Sequence, residues 1–285
     1  MIFRYPGGKS KKSVRDKIFA RFPSEYSEYR DAMVGGGGIF FAVPQTKKRW
    51  INDIDPNLIA VYQALKNRPQ EFIEKCREIE GPKDGESLTS AKPGGKPLYC
   101  ARMKGIFDVF CRGSDNVDPA LRYFFIHRTV WAGRVNYDLE SRLYFSNPSG
   151  WNVVFSDRME KAAACVNDVK VTCGSYLDVL FAEGDDVLVY LDPPYFVNTE
   201  LNGNSRLYKY NFEKKDHEEL CEAVKQCKHK VVISYDNHPY VSNLYKGSQF
   251  NHSNTEWTYC GTSSVVSDGQ PFEKSVGKEL IITNF

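Results

Sequence analysis

The chain has 285 residues, 41% hydrophobic and 26% charged, the balance of an ordinary soluble globular protein with material for a sizeable core. No run approaches ~18 apolar residues, so no transmembrane helix is expected, and Met1-Ile2-Phe3-Arg4-Tyr5-Pro6 lacks a signal-peptide h-region. The net charge of +2 names no polyanionic partner by itself, but residues 1–21 hold seven Lys and Arg against the single acid Asp16. Lys92, Lys96, Arg102 and Lys104 form a second basic stretch, and either stretch suits a phosphate backbone or a solvated helix face. Eight cysteines show no C-x-x-C pair and no clustering with the five histidines. Buried free thiols in a reducing cytoplasm are expected, without a zinc site or disulfides.

In chain order, Ser10 to Arg21 reads as a helix after a Gly7-Gly8 turn, and Tyr29 to Val34 as a strand running into Gly35-Gly36-Gly37-Gly38. Ile39 to Val43 is expected to open a helix. Arg49 to Asn52 reads as a short strand. Asp55 is a good N-cap and Pro56 a good first residue for a helix to about Leu65. Residues 68–80 and 98–128 look helical, with a Gly- and Pro-rich loop between them from Gly81 to Pro97. Arg128 to Trp151 lacks a helical period and mixes aromatics with arginines. The α/β pattern resumes with a helix from Ser156 to about Asp168, a strand near Val169–Cys173 and the apolar run Val187–Leu191. A polar stretch, Val197 to Lys209, follows. Leu220, Ala223, Val224 and Cys227 mark a helix face, Lys230 to Asp236 a strand, Gly261 to Lys278 a polar loop or hairpin, and Glu279 to Phe285 a last strand.

The most informative residues are Asp192-Pro193-Pro194-Tyr195, directly after the buried-strand run. Ligands of open α/β folds bind at that carboxyl edge. An exocyclic adenine amine is a poor nucleophile because its lone pair is delocalised into the ring. A carboxylate and a backbone carbonyl accepting its two N–H groups favour a pyramidal nitrogen and free that lone pair. The prolines stiffen the loop that presents these acceptors, and Tyr195 suits stacking on the base. Asp-Pro-Pro is also an ordinary strand-ending turn. Upstream, the Gly35–Gly38 run between a strand and the next element lets a ligand approach the backbone. It is neither a Walker loop nor a clean dinucleotide fingerprint. Asp53, 18 residues after Gly35, stands where an acid accepts ribose hydroxyls.

Phe3-Arg4-Tyr5-Pro6-Gly7-Gly8-Lys9, Val34-Gly35-Gly36-Gly37, Asn52-Asp53-Ile54-Asp55 and Asp192-Pro193-Pro194-Tyr195, in this order, resemble the motifs of Dam-like DNA adenine-N6 methyltransferases of the D12 class. The resemblance runs from residue 2 to residue 285 and is thin across 67–125. It implies an α/β fold, a Rossmann-like methyltransferase sheet for S-adenosyl-L-methionine (SAM) with an inserted, mainly helical DNA-recognition domain. Residues 1–66 and 153–285 would form the catalytic domain and 67–152 the insert. Tyr5 and Lys9 would line the methionine and target side of the pocket. Gly35 and Gly37 would cradle the cofactor, Asp53 would hold its ribose, and Ser175-Tyr176 falls near its adenine. Asp192 and the Pro193 carbonyl would hold the target amine, with Tyr195 on the flipped base. Asp31-Ala32-Met33 stands where relatives have Glu-Pro-Phe, keeping an acid.

Arg128-Thr129-Val130-Trp131-Ala132-Gly133 resembles the opening of the family's recognition hairpin and Phe145-Ser146-Asn147-Pro148 its end. By that resemblance Arg128 and Trp131 would face double-stranded DNA, with Trp131 filling the gap left by base flipping. Arg134 and Arg142 would reach guanine edges or phosphates. Ala132 replaces the Asn of GATC-reading relatives, so a different target is expected. A monomer acting in the cytoplasm is also expected. His217 reads as a capping or packing residue. Competing readings are an RNA adenine or protein amide methyltransferase, a silent DNA-binding relative and, more remotely, an NAD-linked dehydrogenase.

Overall fold

The computed structural model describes residues 5, 9–44, 46, 48–79, 117–129, 157–196, 210–258 and 276–285. The elements are α1 (Lys12–Phe19), β1 (Glu28–Asp31), β2 (Lys48–Asp53), α2 (Pro56–Asn67), α3 (Pro69–Glu78), α4 (Pro119–Thr129), α5 (Arg158–Val166), β3 (Val169–Cys173), α6 (Tyr176–Leu180), β4 (Val187–Leu191), α7 (Lys214–Gln226), β5 (Lys230–Asp236), α8 (Pro239–Leu244), β6 (Asn251–Thr258) and β7 (Val276–Thr283). They build a mixed α/β protein around one seven-stranded sheet in the order β3-β2-β1-β4-β5-β7-β6. The first five strands are parallel, and β7 pairs antiparallel with both β5 and β6. The chain moves outward from β1 through β2 to β3, then returns to place β4 on the other side of β1. The gap between β1 and β4 is therefore the topological switch point, where a crevice opens at the carboxyl ends of an open sheet.

Period-two alternation sends β4 to both faces. Leu188 and Tyr190 join a core with Val14 and Ile18 of α1, with α2 and α5, and with Phe72 of α3 and Phe124 and Phe125 of α4. Val187, Val189 and Leu191 join the opposite core with α6, Leu220 and Val224 of α7, and Val241 of α8. An all-apolar strand buried on both faces is what a parallel sheet requires. α2 starts as its sequence demands: Asp55 caps it, accepting from the Asn57 amide at 3.0 Å, and Pro56 occupies the first turn. Among the described residues, no helix is long and apolar enough to cross a membrane.

Two expectations differ from the structure. Ile39 to Val43 forms successive turns, with no regular helix. Phe41 N–H donates to the Gly37 carbonyl, but Ala42 and Val43 both donate to Ile39, a mixture of spacings. Pro44 then keeps Val43 out of the helical region. The edge strand β6 was not anticipated, because Asn-His-Ser-Asn-Thr-Glu-Trp-Thr has no apolar alternation and is held by pairing to β7. The Gly81–Pro97 loop, the second basic stretch, the 98–116 helix, the Val197–Lys209 stretch and 259–275 lie outside the described residues. Of the five described cysteines, all free, Cys76 and Cys221 are buried and Cys173 is exposed.

Arg30 is the largest polar side chain sealed in the fold, 1% exposed on β1. It donates to Glu28 at 2.6 Å and to the carbonyls of Val179, Ala182 and Glu183 at 2.7–2.9 Å, tying β1 to the end of α6. Arg30→Met leaves Glu28 and three carbonyls without this donor. Such a loss is expected to lower the unfolding free energy by about 3 kcal/mol in urea titration. An unchanged midpoint would show the clamp to be dispensable.

Candidate active site

The parallel strands deliver acids to one edge: β1 ends in Asp31, β2 in Asp53, β5 in Asp236, and Asp192 follows β4. Asp31 is 1% exposed; burial holds its carboxyl well above the usual range, and the nearby charges of Asp192 and Asp53 push it further. Burial raises Asp53 to about 6, against the opposing pull of the Asp55 and Gly35 amides. Into this acidic edge comes Lys9, 3% exposed, its Nζ 2.6 Å from Asp192 Oδ1. Ser234 of β5 donates to the same oxygen at 2.9 Å and is linked in turn to the Tyr190 hydroxyl at 2.7 Å. Among the described residues nothing bonds the other oxygen, Oδ2, and Asp192 is only partly buried. One oxygen is thus locked and the other left to accept from outside.

The rest of the loop is equally fixed. Asp236 accepts from the Phe196 amide at 3.0 Å, and the Phe196 ring stacks on Tyr240 at 4.2 Å. The Tyr195 hydroxyl donates to Glu279 of β7 at 2.6 Å, and Lys9 Nζ lies 4.8 Å from the centre of the Tyr195 ring. Asp192, Pro193, Pro194 and Tyr195 are therefore held between β4, β5 and β7.

The glycine turn is shaped from the β2 side. Asp53 accepts from the Gly35 amide at 2.9 Å through Oδ2 and from the Asp55 amide at 3.0 Å through Oδ1. Each oxygen keeps a further lone pair, so the carboxylate that shapes the turn is chemically able to take ribose hydroxyls as well. Ile54 beside it is 53% exposed, an apolar side chain open at the same strand end. Gly37 has φ +70°, and a Cβ there would come within 2.7 Å of Phe41 and of the Tyr62 hydroxyl. At Gly38 a Cβ would meet the Lys9 backbone at 3.2 Å, so the N-terminal segment crosses directly over the turn. Tyr5 packs over Gly35 and stacks with His127 of α4 at 6.0 Å.

Ser175 caps α6, accepting from the Leu177 amide at 3.1 Å, and Tyr176 lies 6.0 Å from Phe212. Arg128 is 8% exposed in the last turn of α4. Trp131, Arg134 and Arg142 lie outside the described residues. His217 is a packing residue: fully buried on α7, it meets the Tyr235 hydroxyl through Nδ1, and burial lowers its pKa to about 4. The sequence reading brought Lys9, Asp53, Gly35, Gly37 and the Asp192 loop to one edge, as the structure does. It passed over Ser234, Asp236 and Glu279. Asp236 follows an apolar strand just as Asp192 does, and that signal was available. Glu279 stands at the start of an apolar run, and only antiparallel pairing puts it at this edge.

Residues 5–260 match the family described as D12 class N6 adenine-specific DNA methyltransferase. The chain belongs to that family. A type II methyltransferase of Lactococcus lactis subsp. cremoris, M1.LlaDCHI, is 24% identical over 99% of this chain and 94% of its own length. M.MjaIII of Methanocaldococcus jannaschii, also a type II methyltransferase, is 24% identical over 86% of this chain and 88% of its own. A DNA adenine methylase of Vibrio cholerae is 26% identical over 88% and 86% respectively. The chain is an adenine-specific DNA methyltransferase and, as in its family, the methyl donor is SAM.

Gly37→Ala forces a side chain into left-handed backbone and against the Phe41 ring and the Tyr62 hydroxyl. It is expected to cost on the order of 1–3 kcal/mol of stability by chemical denaturation. A variant as stable as the parent would mean the turn has another accessible form.

Proposed function

We propose that Asp192, Pro193, Pro194 and Tyr195 perform the transfer on a flipped-out adenine of double-stranded DNA. The observation that supports this most is the asymmetry of Asp192, whose Oδ1 is held by Lys9 and Ser234 while Oδ2 has no partner among the described residues. Oδ2 accepts one N–H of the target amine and the Pro193 carbonyl the other. The amine lone pair is thereby turned out of conjugation. Tyr195 presents its ring to the base. SAM, when bound, supplies an electrophilic methyl group, so positioning and electrostatics suffice and no side chain needs to act as nucleophile. The amine sheds its proton after transfer, once it carries positive charge.

Tyr5, Lys9, Gly35, Gly37, Asp53, Ser175, Tyr176 and Asp192 form the cofactor side in this reading. Asp53 takes the ribose hydroxyls, and Ile54 offers an apolar surface to the adenine ring. Residues 67–152 act as the inserted, mainly helical recognition domain, and residues 1–66 with 153–285 as the catalytic domain. α3 and α4, which share the sheet's core, root the insert. Arg128, Trp131, Arg134 and Arg142 serve DNA binding, with Trp131 supporting base flipping. The enzyme acts as a monomer in the cytoplasm. Its target differs from GATC.

Long-read sequencing of DNA from a methylation-free host expressing the protein is expected to show one N6-methyladenine motif at high occupancy. Asp192→Ala is expected to abolish that signal while SAM still binds. Turnover close to the parent's in this variant would remove Asp192 from the chemistry. Asp53→Ala is expected to raise the SAM dissociation constant by roughly tenfold to a hundredfold, the worth of hydrogen bonds to a charged acceptor. An unchanged constant by calorimetry would argue against the ribose role.

A further inference from the structure

Glu279 has no place in any of the motifs above, yet it is fully buried and its Oε2 lies 2.6 Å from the Tyr195 hydroxyl. β7 runs antiparallel to the five parallel strands, so its N-terminal half lies at their carboxyl edge, with Glu279 paired to Asp236 on β5 and Thr255 on β6. A buried acid is costly unless it has a task or a partner. The partner here is the aromatic residue of the catalytic loop, 84 residues away in sequence. The Tyr195 ring packs against the core, with Lys9 4.8 Å over it and the Tyr235 ring 6.4 Å away. Its hydroxyl is the point at which the ring is pinned.

We infer that Glu279 is a positioning residue for methyl transfer, its carboxyl anchoring the Tyr195 hydroxyl and so fixing the ring against which the target base lies. The inference rests on the role proposed above for Tyr195. A stacking ring that swings about its Cα–Cβ bond presents a variable slot, and a misplacement near 1 Å costs up to about a hundredfold in rate. Both protonation states of Glu279 accept from the hydroxyl, but they differ in charge. Burial raises its pKa to about 8, offset by Lys9 and Tyr195 and increased by Asp192 and Asp236. Among the described residues, these four face it from the N-terminal segment, the catalytic loop and β5. Below that pKa the protonated carboxyl does not compete with Asp192 for Lys9. As pH rises through about 8, a second anion competes for Lys9, so turnover is expected to fall across that range.

The test compares Glu279→Leu, Glu279→Gln, Tyr195→Phe and Asp192→Ala on an unmethylated duplex containing the target motif, with SAM affinity measured by calorimetry. Glu279→Leu is expected to lower kcat by roughly tenfold to a hundredfold with SAM affinity retained. Glu279→Gln keeps an acceptor without charge. It is expected to recover most of that loss and to lack the fall in turnover near pH 8. Tyr195→Phe reports on the same bond from the hydroxyl side, even where the leucine variant folds poorly. Combining Glu279→Leu with Tyr195→Phe is expected to add little to either loss, because one interaction is removed twice. Parent-like kcat in both Glu279→Leu and Tyr195→Phe, with Asp192→Ala inactive, overturns this inference and leaves the catalytic loop in place. So does a glutamine variant as impaired as the leucine variant, or losses that multiply. Parent-like turnover in Asp192→Ala overturns the site reading itself, and this inference with it.

Discussion

The contact between Lys9 and Asp192 holds the site together. It joins side chains 183 residues apart in sequence, at 2.6 Å, with the lysine almost wholly withdrawn from water. A buried ion pair of this kind adds little to stability, because desolvating both charges cancels most of their attraction. Its effect is positional. The pair brings the N-terminal segment across the glycine turn, where Gly38, with no side chain, leaves room for the Lys9 backbone. It also occupies one oxygen of Asp192 and thereby decides which oxygen is left to act.

The same lysine answers a difficulty that the fold creates. Parallel strands bring every carboxyl terminus to one edge, and here four of those termini carry aspartates. Burial in this crevice raises the pKa of Asp31 and Asp53, and at Asp31 the charges of Asp192 and Asp53 add to it. The protein reduces the cost by giving each acid a separate task. Asp53 shapes the glycine turn through two amides, Asp236 holds the Phe196 amide, and Asp31 takes the Tyr29 hydroxyl at 3.2 Å. Asp192 receives a buried ammonium.

Binding and transfer therefore share one rigid frame. Asn52 joins it by donating to the Ala32 and Gly174 carbonyls and accepting from Thr172, linking the ends of β1, β2 and β3. Asp53 follows Asn52 directly, so the residue that bridges the strand ends also fixes where the acid proposed for the ribose stands. On the other side of the switch point, Ser234 performs a similar service for Asp192. The Asp192 loop and the glycine turn face each other across β1 and β4, which suits the alignment-governed reaction proposed for them.

Local chemistry made much of this legible in the sequence. The run Val187–Leu191 has to be a doubly buried strand, Asp55-Pro56 has to start a helix, and clustered glycines after a strand have to form a turn open to a ligand. Each follows from the side chains of a few adjacent residues, and together with the ordered motifs they identified the family and pointed to the edge proposed for its site. What neighbours in sequence do not determine is which strands meet. Antiparallel pairing of β7 with β5 decided that Glu279 stands beside Tyr195, and pairing with β7 made a strand of the polar segment Asn251–Thr258. The turns after Gly38 were decided by φ at Gly37 and by Pro44 acting on Val43. The partners of Asp192, Lys9 and Ser234, are set by three segments far apart in the chain. Only the packed sheet brings them within hydrogen-bonding distance.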